Sequence, residues 1–115
     1  MTLDELEQQE KVVLLALLGV IARMDGQASG DEVELLSRVG RDLGTGVFEA
    51  VAAEAAQLEG AALRAKVEEV TRPEAREVIY ELLYEMATNE TISEQEGELL
   101  DWLADAWGLP RRMGT

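Results

Sequence analysis

The chain contains no cysteine and no histidine. The first absence excludes disulfides and thiolate chemistry. The second removes the commonest acid-base side chain near neutral pH and the commonest transition-metal ligand. Aromatic residues amount to only 4% of the 115 residues. Any core must therefore be aliphatic, and a composition dominated by alanine and leucine favours helix-on-helix packing over sheets.

Positive charge is equally scarce, with 10 Lys and Arg against 24 Asp and Glu and a formal net charge of -14. The deficit is uniform, since residues 1–57 hold four basic and eleven acidic side chains and residues 58–115 hold six and thirteen. Such a field repels nucleic acid and anionic lipid, and leaves cations or basic proteins as ligands. A metal held by this chain would be held through oxygen, which points to Ca²⁺, Mg²⁺ or Mn²⁺.

Long hydrophobic runs are missing too. Val12 to Ala22 is apolar or glycine throughout, yet its eleven residues are too short to span a bilayer. The opening MTLDELEQQEK is acidic and lacks the basic flank of a signal peptide. A cytoplasmic location is expected, without direct membrane insertion, although association with a membrane complex stays open.

What is present is a helical pattern. Thr2 and Glu5 have the spacing of a capping box for a first helix running through Leu6, Val13, Leu14, Leu17, Leu18 and Ile21 to about Met24. Being apolar nearly all round, it belongs in the middle of a bundle. Ser29 and Glu32 open a second helix, expected to pair tightly with the first and to end at Gly44. Thr45 caps a third helix carrying Val47, Phe48, Val51 and Ala55, and Gly60 separates it from a weaker fourth with Leu63 and Val67. Thr71 and Glu74 flank Pro73 at the start of a fifth, lined by Ala75, Val78, Ile79, Leu82, Leu83 and Met86. Ser93 and Glu96 open a sixth, lined by Leu99, Leu100, Leu103 and Trp107 and stopped by Gly108 and Pro110. Residues 1–110 read as one helical domain, and 111–115 as a flexible tail.

Residues 14–44 and 78–108 correspond at an offset of 64: Leu18 meets Leu82, Ser29 meets Ser93, Glu32 meets Glu96 and Gly44 meets Gly108. The expected fold is therefore all-α, a compact helical bundle with two pseudo-symmetric helix-acidic corner-helix units. Two readings of the corners stand side by side. In the first, the serines and glutamates only cap helices, and Asp25 and Asn89 bond local backbone. In the second, Asp25, Ser29 and Glu32, with Asn89, Glu90 and Glu96, gather oxygen around a hard cation. The seven-residue step from Asp25 to Glu32 excludes an EF-hand loop.

The stretches IARMDGQASGDEVELL (residues 21–36) and YEMATNETISEQEGELL (residues 84–100) resemble the two signature segments of the TerB-like (tellurite resistance protein TerB) family. The resemblance implies a compact helical domain with internal pseudo-symmetry, and places the family's acids on Asp25, Glu32 and Glu96. Asn89 and Glu90 stand where the family often has aspartate and glycine. It further implies an accessory role in tellurite or stress systems, with divalent-cation binding.

Three functions compete. One is a cation-responsive accessory protein that binds another protein. A second is a metal-independent structural or interaction module, motivated by Trp102, one residue outside the apolar stripe of its helix, and by Tyr80 and Tyr84; core packing explains these aromatics equally. The third, catalysis by facing carboxylates such as Glu32 and Glu96, lacks histidine, cysteine and a nucleophile arrangement, so no enzyme is expected. Homo-oligomerisation stays open.

Overall fold

A computed structural model describes the backbone at residues 2–25, 30–88 and 94–109; the side chains at 22–25, 30–33, 35, 36, 45, 86 and 88 lie outside that description. Among the described residues there are six α-helices and no strand: α1 (Gln8–Asp25), α2 (Gly30–Leu43), α3 (Thr45–Ala55), α4 (Gly60–Glu69), α5 (Pro73–Thr88) and α6 (Glu94–Trp107). A short 3-10 turn, Leu3–Glu5, precedes them. The chain is all-α and compact, with a Cα radius of gyration of 13.1 Å, about that of a folded domain this long. No helix among the described residues is long and apolar enough to cross a membrane.

α1 occupies the centre, as its all-round apolar surface demands, and packs against α3, α4, α5 and α6. Val13, Leu14, Leu17, Leu18 and Ile21 are essentially inaccessible to solvent. Each such side chain contributes roughly 1.5–3 kcal/mol through burial. α2 packs chiefly on α3, α5 and the N-terminal turn, whereas α6 lies along α5. The pairing expected of α1 with α2 turns on the junction at residues 22–36, most of whose side chains lie outside the described residues; among those described, α2 buries Val39 and Leu43.

The first helix begins later than the Thr2 and Glu5 spacing suggests. Thr2 makes no side-chain bond to a helix amide and its hydroxyl turns to Asp4 instead. The backbone N–H of Glu7 donates to Glu10 Oε1 at 2.6 Å, which is the reach-back half of a capping box moved along the chain. Glu10 wins because its carboxylate is also held by Arg72, at the start of α5.

Gly44 serves two helices. At φ +90° it ends α2, where its N–H donates to Gly40 O, and its carbonyl accepts from Phe48 N–H at 2.8 Å as α3 begins. The cap of α3 is therefore Gly44 and not Thr45. α6 also ends at a glycine of positive φ, Gly108 at φ +66°, but with a different bond pattern: Leu109 N–H donates to Ala104 O and Gly108 N–H to Asp105 O. That pair of bonds is a Schellman motif.

Arg76 fastens the far end of the bundle. Its guanidinium donates to Val70 O at 2.8 Å, beyond α4, and to Trp107 O at 3.4 Å, at the end of α6. One cation thereby meets the carbonyl ends of two helices, where the negative ends of their dipoles lie. Trp107 completes the junction by donating its indole N–H to Val67 O at 2.9 Å.

Candidate functional site

The acidic corners come first. Ser29, Asn89 and Glu90 lie outside the described residues, and so do the side chains of Asp25 and Glu32. Glu96 is the remaining proposed ligand, and its side chain is 1% exposed in the first turn of α6. It occupies the third helical position, where a capping glutamate sits. Among the described residues no three carboxylates converge in a group able to hold a metal ion. The divalent-cation cofactor, whether Ca²⁺, Mg²⁺ or Mn²⁺, is therefore corrected, and metal binding with it. No three of the described acids come together, and carboxylates held apart do not supply the several oxygen ligands a hard cation requires.

The proposed contact aromatics separate. Tyr80 is 3% exposed and belongs to the core. Its buried hydroxyl has no hydrogen-bond partner among the described residues. Tyr84, one turn along α5, is half-buried with its ring centroid 6.4 Å from that of Tyr80. Trp102 is also half-buried, on the wall of a cavity of roughly 600 Å³ shared with Leu17, Val20, Leu63 and Leu99. Tyr84 and Trp102 thus reach the surface and Tyr80 does not.

A second groove, of roughly 660 Å³, was not anticipated from the sequence. It opens where the N-terminal turn, α2 and α5 meet. Leu3, Val78, Leu82 and Tyr84 supply its apolar lining, and Asp42, Glu77, Glu81 and Glu85 supply its acidic one. Glu77, Glu81 and Glu85 follow one another at four-residue spacing, so they share one face of α5. At one end Arg38 of α2 meets Glu85 Oε2 at 2.9 Å, in a pair whose side chains are nearly half exposed. Such a pair adds about 0–1 kcal/mol to stability and mainly fixes where the two side chains stand. The signal available beforehand was this acidic series interleaved with Val78 and Leu82.

A buried electrostatic contact lies elsewhere and is structural. Glu10 is 1% exposed and receives both Nε of Arg72, at 2.9 Å, and a terminal guanidinium nitrogen. The hydrogen bonds from Arg72 hold the Glu10 carboxyl below its usual range, against the opposing effect of burial. The same guanidinium donates to Glu5 O at 3.3 Å, tying the N-terminal turn to α5.

No protein-family profile matches the chain. No curated protein and no solved structure matches it either. The TerB-like resemblance rests on the two quoted motifs alone, and tellurite resistance finds no support beyond them.

Proposed function

We propose that this chain is a non-catalytic, metal-independent protein-interaction module that engages a basic segment of a partner protein. The observation that carries the reading is the acid-lined groove at α5, where apolar side chains lie beside Asp42, Glu77, Glu81 and Glu85. Apolar contacts supply affinity as water leaves, while the carboxylates select positive partners and repel polyanions. The net charge of -14 extends that selection over the whole molecule. The repeated sequence pattern, with a positive-φ glycine after the second helix of each half at 44 and 108, supports descent of α1–α2 and α5–α6 from one helix-corner-helix unit, and the groove draws on α2 of the first and α5 of the second.

The test is titration of a fluorescent Lys/Arg-rich peptide with the full chain in chelator, alongside an acidic control peptide. Saturable binding of the basic peptide alone is expected. It weakens with salt, is unchanged by added Ca²⁺, and is reduced in the Asp42→Asn, Glu77→Gln, Glu81→Gln variant. A basic peptide that fails to bind, or that binds the triple variant as well as the parent, refutes the assignment.

A further inference from the structure

The cavities between the helices differ in the charges that line them. The groove at α5 carries four carboxylates. The cavity beside Trp102 holds Arg64 and Glu98 together, so its lining favours neither sign. A further cavity, of roughly 480 Å³, lies between α1 and α3. Leu15, Leu18, Phe48, Ala52 and Leu58 make it apolar, and Glu59 is its one charged residue among those described. Small-molecule sites have this character, concave and mostly apolar with few polar groups.

The local sequence explains the space. Ala16 and Gly19 on α1 border it, as do Ala55 and Ala56 at the end of α3. Side chains this short do not fill it. Phe48, in the first turn of α3, and Leu58, beyond its last, are left half-buried, so an apolar ligand laid between them would remove hydrocarbon surface from water. Glu59 is exposed and takes the N-cap position of α4 without a side-chain bond to that helix. Its carboxylate makes no hydrogen bond or ion pair among the described residues.

A carboxylate at the edge of an apolar cavity selects a cation. A bare metal ion does not suit it, because a hard cation requires several oxygen ligands and this lining supplies one carboxylate. The charge must therefore arrive on an apolar body. We propose that the cavity between α1 and α3 binds a small organic cation, an aliphatic amine whose hydrocarbon chain lies against Leu15, Leu18, Phe48 and Leu58 and whose ammonium group meets Glu59. The net charge of -14 favours the same sign of ligand. This site shares no residue with the groove at α5, so it stands or falls separately from the partner assigned there.

Octylammonium, octanoate and octanol share a hydrocarbon chain and differ in charge. Each is titrated into the full chain by calorimetry, with backbone amide shifts followed by NMR and sedimentation of the chain alone. Octylammonium is expected to bind saturably, to shift amides centred on residues 15–19 and 48–59, and to bind about ten-fold more tightly than octanoate. Glu59→Gln, at an exposed position, should weaken octylammonium about five-fold and leave octanol unchanged. Ala52→Leu places a larger side chain in the cavity and should weaken both; if that variant fails to fold, Glu59→Gln decides alone. The proposal is overturned if octylammonium does not saturate, if octanoate binds as tightly, or if Glu59→Gln leaves the affinity unchanged. Shifts centred on α5 overturn it too. Displacement of octylammonium by a Lys/Arg-rich peptide gives the cavity to a protein partner, and self-association that blocks it gives the cavity to a second copy; either result also refutes the small-molecule site.

Discussion

Replacing Glu10 by glutamine should cost the fold about 2 kcal/mol near neutral pH, and that cost should fade in acid. The Glu10 carboxylate is 1% exposed and accepts from Glu7 N–H as well as twice from Arg72. Glutamine keeps an oxygen for the Glu7 amide but loses the charge and one acceptor. A charge-assisted hydrogen bond contributes roughly 1.5–3 kcal/mol. The low end applies because the Arg72 side chain is 36% exposed and recovers hydration when its partner is neutral. The Glu10 pKa is lowered from 4.5 in the folded state, chiefly by the Arg72 hydrogen bonds. The contribution is therefore complete above about pH 4.5, the unfolded value, and disappears as pH falls through the lower folded one. Urea unfolding of parent and variant across this range is the assay, because the other carboxylates are common to both and largely cancel in the difference. A difference near zero at pH 7, or one of constant size from pH 7 down to pH 3, refutes the reasoning.

Two other substitutions probe local chemistry. Tyr80→Phe removes a buried hydroxyl that has no partner among the described residues, so stability in urea should rise by about 1 kcal/mol; a loss of that size would show that the hydroxyl is bonded. Gly44→Ala meets no atom within 4 Å of the new Cβ, but it forces an L side chain into φ +90°. Its cost should be about 1–2 kcal/mol, read as a lowered urea midpoint with unchanged slope, and an unaltered midpoint would refute the backbone argument.

The helices were legible because their signals are local. The apolar surface of α1 foretold its central place, and Gly44 and Gly108 marked helix ends by a conformation that glycine adopts easily. The start of α1 was misplaced because two pairs, Thr2 with Glu5 and Glu7 with Glu10, offer an acid at the same spacing. The partner that decides between them, Arg72, lies 62 residues from Glu10. No local pattern contains that information. Pro73 similarly marked the start of α5, where the helical bonding begins with Arg76 N–H donating to Arg72 O, one residue later than the Thr71–Glu74 spacing suggests. The groove escaped notice because the four-residue spacing of Glu77, Glu81 and Glu85 marks a shared helix face and nothing more. Leu3 and Asp42 join that face only through tertiary packing.

The central position of α1 also bears on how the protein is made. α1 leaves the ribosome first, yet α5 and α6, which cover part of it, are translated last. At roughly 5–20 residues per second, its apolar run waits on the order of 3–15 s for the last of its neighbours. During that interval Val12 to Ala22 forms the stickiest stretch of the nascent chain. The acidic residues on either side supply mutual repulsion between neighbouring nascent chains. The excess of carboxylates around this run thus bears on the unfinished chain as well as on the finished one, by setting nascent neighbours apart.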